Sequence, residues 1–237
     1  MKIVKPQVII PEVELDPSKE YRIEQYGRVC YKSEDNQTEG TNLLRALIER
    51  GHESVIEHEK VTVKFITDRG VSHELVRHRI ASYSQESTRY CNYSREKFGE
   101  EITVILPDFF VKPLRKHDFQ IWQKACQEAE DFYFELLELG ATPQEARTVL
   151  PNSLKTEIVA TMNMREWRHF FKLRCSNRAH PQIRQIAIPT FFVFKKYFPN
   201  IFSDLEVKDY KTLELAEVII KGEDLYESLY RQSAENC

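Results

Sequence analysis

The stretch KVTVKFIT, residues 60–67, places Val61, Val63 and Phe65 at alternate positions. Successive side chains of a β-strand point to opposite faces of the sheet, so this alternation predicts a half-buried strand. A second strand is predicted in TEIVATMN, residues 156–163. We expect both segments to belong to a central sheet, because predicted helices lie before, between and after them along the chain.

The remaining elements extend outward from these two strands. Strands are also predicted within residues 2–15, at a sheet edge because of Pro6 and Pro11, and at 102–106. Helices are predicted at 41–50, 71–79, 117–139, 143–149, 165–176 and 181–198. The first of these helices is expected to begin at a Thr41 cap and stop at Gly51, and the last to be interrupted or started late by Pro189.

Two further segments complete the prediction of the fold. Residues 80–99 are polar and are predicted to form a long functional loop, whereas residues 199–237 are predicted to form peripheral helices. The chain contains no internal repeat, low-complexity segment or linker. This order of elements predicts a single α+β domain over residues 1–237, with a central mixed or antiparallel sheet flanked by helices.

Composition excludes several classes of protein. The seven glycines are too widely spaced for a G-x-G-x-x-G turn or a G-x-x-x-x-G-K loop, so any phosphate must be held by side chains and helix ends. A net charge of −3 does not predict general binding to nucleic acid or to a membrane. Five widely spaced cysteines indicate free thiols in a reducing compartment, and we expect a cytoplasmic protein without a leader or a membrane span.

Cations are concentrated in two parts of the sequence. The run Arg77-His78-Arg79 precedes a segment rich in serine, and residues 147–184 interleave arginines with aromatic residues. Paired guanidinium donors beside aromatic rings suit a planar, anionic ligand such as a nucleotide or a flavin. The alternative for each region is structural: a solvated charged helix with a polar turn, and an amphipathic helix whose aromatic side is core.

Metal and nucleophilic chemistry are not predicted. His52 and His58 are six residues apart and His73 and His78 are five apart, so neither pair has the i, i+4 spacing of H-E-x-x-H, and no metal site is expected. A G-x-S-x-G elbow is absent, and Cys175 is interpreted as a buried thiol.

The string RHRIASYSQES at 77–87 resembles the signature of the flavin-dependent thymidylate synthases, in which Arg-His-Arg is followed after seven residues by Ser. Three more segments resemble that family in order and spacing: GHESVIEH at 51–58, EARTVLP at 145–151 and NMREWRHFFKLR at 163–174. The resemblance covers roughly residues 41–190.

This resemblance implies a methyltransferase enzyme that assembles as a homotetramer and binds FAD and dUMP at sites shared between subunits. The reaction it implies passes a methylene group from 5,10-methylenetetrahydrofolate to uracil C5 and reduces it with a flavin hydride, and NADPH recharges the flavin. The product would be dTMP, with no nucleic-acid or membrane partner.

The resemblance also implies roles for individual residues. The residues expected to bind FAD are His52, Ser54, Arg77, His78, Arg79, Gln85, Asn163, Arg165 and His169. The residues expected to bind dUMP are Glu74, Arg77, Gln85, Glu86, Ser87, Thr88, Arg89, Arg147 and Arg174. Arg174 is the expected catalytic residue. Its guanidinium stays protonated and is no base, but it can stabilise the anion that develops at N3 or O2 of the uracil.

Several positions depart from the family's usual pattern. The family often has Asn-Glu where this chain has Ser84-Gln85, Arg-Gln where it has His73-Glu74, and Glu where it has Gln144. The Gln85 and Glu74 changes support an alternative from another class, a catalytically inactive protein of the same fold that binds flavin or nucleotide. A nucleic-acid-binding module is a third reading, disfavoured by the net charge.

Overall fold

The computed structural model describes residues 1–34, 42–96, 99–110 and 112–222. Its strands are β1 (Lys2–Val4), β2 (Gln7–Pro11), β3 (Lys60–Asp68), β4 (Ala81–Gln85), β5 (Thr103–Ile105), β6 (Lys155–Asn163) and β7 (Glu217–Lys221). Five of them form a sheet in the order β4-β6-β3-β2-β7, antiparallel except for the parallel pair β2-β7. Strands β1 and β5 form a separate parallel pair. The predicted α+β class with a mixed sheet is confirmed.

Seven helices flank these strands in the described part of the chain. They are α1 (Ser18–Val29), α2 (Asn42–Glu49), α3 (Arg69–Leu75), α4 (Lys116–Glu138), α5 (Pro143–Ala146), α6 (Met164–Arg174) and α7 (Pro181–Tyr197). Short 3-10 turns occupy Glu12–Leu15, Glu53–His58, Asp108–Phe110, Pro113–Arg115 and Arg147–Val149. No helix that the structure describes is both long and apolar enough to cross a membrane.

The main core lies between the sheet and helices α6 and α7. Strands β3 and β6 pair over nine residues, and Val61, Val63 and Phe65 are fully buried on one face, as their alternation predicts. Trp167 of α6 packs against Phe65 and donates a hydrogen bond from its indole nitrogen to the Val61 carbonyl over 3.0 Å. A smaller core joins α4 to the β1-β5 pair through residues such as Tyr133. Helix α6, which carries many of the predicted site residues, is therefore fixed rigidly against the sheet.

Two predictions about strands are wrong. Strand β2 lies between β3 and β7 instead of at an edge, because Pro6 and Pro11 stand at its boundaries, where a missing N–H does little harm to the ladder. Within the predicted 80–99 loop, residues 81–85 form strand β4, which pairs with β6. Its side chains are mostly polar, so its sequence lacks the alternation of apolar residues that predicts a strand.

Other predictions about the helices need correction. Helix α3 ends at Leu75, so Arg77-His78-Arg79 follows it instead of lying on it. Helix α7 continues through Pro189, which cannot donate to the carbonyl of Gln185; the backbone N–H of Ala216 donates to that carbonyl instead, over 2.9 Å. In the C-terminal region, Glu217–Lys221 is a strand and not a helix. Thr41 and residues 223–237 lie outside the described residues.

Candidate active site

The predicted site residues fall into two groups around strand β4. Ala81 pairs with Met162 at the start of the strand, and Gln85 pairs with Ile158 at its end. Four residue steps at about 3.3 Å separate these ends by roughly 13 Å. We call the first group the RHR end, comprising residues 52–57, 74–79 and 163–174, and the second the loop end, comprising residues 85–89 and Arg147.

The RHR end is centred on Arg174, the last residue of α6. Its Nε donates to Nε2 of His78 over 3.1 Å, its Nη1 donates to the Glu74 carboxylate over 2.8 Å, and its Nη2 donates to the Glu74 carbonyl over 3.0 Å. The side chain is 18% exposed. A guanidinium has five N–H groups, so residues that the structure describes leave two of them for a ligand.

His78 lies behind Arg174 and is only 3% exposed. Its Nδ1 is 2.8 Å from Oε1 of Glu166, and its ring meets the edge of Phe170 at a centroid distance of 5.1 Å. Burial lowers the pKa of His78, and the charge of Arg174 lowers it further, although Glu166 opposes both effects. His78 is therefore neutral at pH 7. Although the resemblance gives His78 to FAD, its ring nitrogens here contact Glu166 and Arg174.

Three cationic or polar side chains at this end face solvent. Arg77, Arg79 and His169 are exposed, and among the described residues neither arginine has a hydrogen-bond or salt-bridge partner for its guanidinium. Unpaired guanidinium groups are ready donors to phosphate oxygens. His169 lies edge-on to His78, with the ring centroids 5.5 Å apart.

A cavity of 340 Å³ is lined by His52, Ser54 and Arg165, among others. Arg165 forms a salt bridge with Glu57. Asn163 is used differently: its side-chain oxygen accepts the backbone N–H of Glu166 over 2.9 Å and caps α6. The structure therefore brings three of the predicted FAD residues to one cavity, and it gives Asn163 a helix-capping role.

A buried network that the sequence analysis missed holds this end together. Arg168 is 1% exposed and donates to the carboxylates of Glu53 and Asp204 over 2.7–3.0 Å. It also donates to the Ile201 carbonyl. The network joins the Glu53–His58 turn to α6, so it places His52 and Ser54. One sequence feature could have predicted it. Arg168 follows Met164 by four residues, so the two side chains lie on the same, buried face of α6.

Removing one carboxylate from this network gives a test of its energy. Burial alone would raise the pKa of Glu53, but Arg168 and Lys172 hold it below the usual 4.5. Glu53→Gln is expected to lower the free energy of unfolding by about 1–3 kcal/mol at pH 7. Because the folded-state pKa is the lower one, this stabilisation is present above 4.5 and is lost as pH falls through the folded value.

Urea unfolding of the wild type and of Glu53→Gln at pH 7 and near pH 3 measures both expectations. The two proteins should differ at pH 7 and converge at the acid end. A difference that stays constant with pH would show that packing, and not the charge of Glu53, is responsible.

The loop end has three side chains that face inward. The Gln85 amide donates to the hydroxyls of Ser72 and Thr156 over 2.9 and 3.1 Å. The Glu86 carboxylate accepts from Tyr93 over 3.0 Å and lies 3.2 Å from the Lys155 ammonium. Thr88 is 4% exposed. Although the resemblance implies ligand contacts for all three, their observed contacts are with the chain itself.

The outward-facing side of the loop end is cationic. Arg89 and Arg147 are exposed, and Arg147 donates to the hydroxyl of Thr88 over 3.2 Å. The Ser87 hydroxyl accepts the backbone N–H of Arg89 over 3.3 Å, which leaves its proton available to a ligand. Two arginines and a hydroxyl form a suitable set of donors for a phosphate.

The structure is thus an α+β protein with a mixed sheet and two groups of exposed arginines, and its sequence has no glycine-rich loop. The chain matches the family model described as thymidylate synthase complementing protein over residues 13–200. It is 36% identical over 198 residues to the flavin-dependent thymidylate synthase of Geobacter sulfurreducens, covering 79% of this chain and 82% of that protein. The chain belongs to the flavin-dependent thymidylate synthase family, which places it among methyltransferase enzymes, and the predicted family is confirmed.

Further relatives agree with this placement. The flavin-dependent thymidylate synthase of Saccharolobus solfataricus is 41% identical over 160 residues, which is 67% of this chain and 58% of that protein. Among solved structures, the UMP/dUMP methylase PolB of Streptomyces cacaoi, bound with 5-Br dUMP, is similar with a TM-score of 0.67. At 24% identity, covering 86% of this chain and 96% of PolB, that likeness shows a shared fold.

Proposed function

We propose that this protein converts dUMP to dTMP, with 5,10-methylenetetrahydrofolate as one-carbon donor and FAD reduced by NADPH as the source of hydride. The observation that carries the proposal is Arg174, which His78 and Glu74 hold in place while two of its N–H groups remain for a ligand. Family membership and the curated relatives' shared name support the same activity.

The residues of the RHR end fit a flavin dinucleotide. Arg77 and Arg79 lack partners among the described residues and would bind the pyrophosphate. His52, Ser54 and Arg165 line a cavity where part of the cofactor could be enclosed. When bound, FAD supplies the hydride that reduces the transferred methylene group, and the chain supplies orientation and charge.

Arg174 would act on the pyrimidine by electrostatics. Negative charge must develop on the uracil ring before C5 can attack, and a fixed guanidinium near N3 and O2 stabilises it without taking a proton. In the structure, Glu74 occupies one N–H of Arg174 through its carboxylate. We infer that the substrate either shares Arg174 with Glu74 or displaces that carboxylate.

The phosphate of dUMP would be bound at the loop end by Ser87, Arg89 and Arg147. Within the described residues, Arg174 contacts Glu74 and His78 and makes no hydrogen bond to Ser87, Arg89 or Arg147. We therefore propose that each pocket is completed across a subunit boundary, as in the homotetramer that the family resemblance implies. Oligomers of this kind are usually symmetric, so every subunit would contribute one of each end.

The direct test is to incubate the purified protein with dUMP, 5,10-methylenetetrahydrofolate and NADPH, and to measure dTMP by chromatography. A yellow protein that NADPH bleaches and that forms dTMP supports the proposal. A yellow protein that forms no dTMP supports the alternative of an inactive flavin- or nucleotide-binding protein. A colourless protein that also fails to bind added FAD would contradict both.

Replacing one exposed arginine of the RHR end should reduce flavin retention. Loss of a charge-assisted contact to phosphate weakens binding by roughly 10-fold or more, so Arg79→Ala is expected to purify with much less FAD. Flavin absorbance per subunit measures this loss, and circular dichroism checks the fold. Lys124→Ala removes an equally exposed cation from α4 and serves as the control. Equal flavin content and affinity in both variants would refute a role for Arg79.

A further inference from the structure

Three side chains form a continuous hydrogen-bonded line behind the candidate active site. The carboxylate of Glu166 is 2.8 Å from Nδ1 of His78, and Nε2 of His78 is 3.1 Å from Nε of Arg174. We propose that Glu166 is a positioning residue that orients Arg174 by fixing the tautomer of His78. This inference rests on the proposed function, which gives Arg174 its catalytic role. It adds to the site Glu166, for which the sequence analysis predicted no role.

The chemistry of the histidine ring explains why the line needs Glu166. A carboxylate only accepts hydrogen bonds, so it selects the tautomer that carries its proton on Nδ1. Nε2 then keeps its lone pair and can accept Nε–H of Arg174. In the other tautomer, Nε2–H would face Nε–H of Arg174, and the Nδ1 lone pair would face the carboxylate. Both of these contacts would be repulsive, so the accepting oxygen of Glu166 decides how Arg174 is held.

The ring of His78 is fixed by its surroundings as well as by these two bonds. Phe170 packs against it edge to face, and the Tyr83 hydroxyl lies 2.7 Å from the Leu75 carbonyl oxygen and 2.9 Å from that of His78, so it donates its one proton between them. The ring can therefore change its proton position but has little room to rotate. Several titratable or charged groups surround the ring. Helix α6 supplies Glu166, His169 and Arg174, and strand β4 supplies Tyr83. Glu74 of α3 contacts Arg174 and acts on the ring through it.

The same residues do not form a convincing metal site. In the described part of the chain, His78, Glu166 and His169 bring one possible ligand atom each to within 4.8 Å of one another. However, both ring nitrogens of His78 are already engaged, and Arg174 places a positive charge beside them. A divalent cation would have to break one of these bonds and overcome that repulsion. The arrangement suits a chain of hydrogen bonds instead, and we call the line from Glu166 through His78 to Arg174 the relay.

The relay is tested first by variants at Glu166. Glu166→Ala should keep its FAD and its bleaching by NADPH, while kcat for dTMP formation falls roughly 10–100-fold, the cost known for losing a carboxylate that orients a metal-bound histidine and expected here for one that orients His78. The KM for dUMP should change less than kcat. Glu166→Gln should retain more activity, because its amide oxygen can still accept from Nδ1–H. Glu130→Ala is the matched control, since Glu130 is similarly buried and accepts the backbone N–H of Ile102 in the smaller core.

Two further measurements separate positioning from general stability. In ¹⁵N spectra of the holoenzyme, His78 should be protonated on Nδ1, and Glu166→Ala should populate the other tautomer. At low pH the kcat of the wild type should fall, because a protonated His78 can no longer accept the hydrogen bond from Arg174. Removing the negative charge of Glu166 lowers the pKa of His78 further. The acid limb of the kcat profile should therefore move to lower pH in Glu166→Gln.

The outcomes distinguish this inference from the proposed function. If the wild type forms dTMP while Glu166→Ala matches it in rate and tautomer, the relay is refuted and the proposed function stands. An equal loss of kcat in Glu130→Ala would likewise refute it, by making the effect one of stability. If the wild type forms no dTMP, the proposed function fails, and an unaltered tautomer in Glu166→Ala would then refute the relay on its own.

Discussion

Arg174→Ala is expected to lower dTMP formation by roughly 10²–10³-fold, the typical cost of removing one preorganised donor from a developing anion. The structure strengthens this expectation, because Arg174 is held from two sides by His78 and Glu74 and needs little reorganisation to meet the substrate. The variant should remain folded. The Glu74 side chain is 32% exposed, so water can replace the contact that Arg174 makes with it.

The measurement separates the two halves of the reaction. Anaerobic bleaching of the flavin by NADPH should persist in Arg174→Ala once any stimulation by dUMP is allowed for, and flavin content should be unchanged. Methyl transfer to dUMP from the reduced enzyme should collapse. Arg174→Lys keeps the charge without the planar fork of donors, so it should retain part of the activity. Formation of dTMP at a near wild-type rate by the alanine variant would refute the electrostatic role and direct attention to another group such as Ser87.

The central sheet was predictable because its strands carry a simple signal. Val61, Val63 and Phe65 alternate with less apolar residues, and each is fully buried. Strand β4 carried no such signal, because its partner β6 covers only one edge and its side chains are polar. The continuation of α7 through Pro189 could not be predicted either. It depends on a hydrogen bond from Ala216, 27 residues further along the chain, to the carbonyl that Pro189 leaves without a donor.

In the candidate site, too, local sequence motifs were predictable and long-range contacts were not. The motif around Arg77-His78-Arg79 indicated the family, which the comparisons confirm. Burial was not visible in the motif: Arg77 and Arg79 are exposed, whereas His78 between them is buried against α6. Arg168 is one of the arginines that the sequence interleaves with aromatic residues, and it is enclosed by two carboxylates from distant segments. Residue type can therefore predict the chemistry of a site, but only the fold shows which cations face a ligand.

The division of the candidate site into the RHR end and the loop end leads to a prediction about mixed oligomers. Arg174→Ala damages only the RHR end, and Arg89→Ala damages only the loop end, so each variant alone should be strongly impaired in dTMP formation. If each pocket takes its two ends from different subunits, co-assembly of the two variants restores some pockets. With random mixing of equal amounts in a symmetric assembly, about one quarter of the pockets receive two intact ends, so about a quarter of wild-type activity should return.

Co-expression of the two variants with different affinity tags, followed by sequential purification, provides the mixed assemblies. Light scattering should give a mass of about four times 28.1 kDa for them and for the wild type. The matched control combines Arg174→Ala with His78→Ala. Both of these changes lie at the RHR end, so every pocket inherits one of them and no activity should return. If the first mixture stays as inactive as its parents although both tags are present in one assembly, Arg174 and Arg89 do not meet across a subunit boundary, and the pocket must be completed in another way.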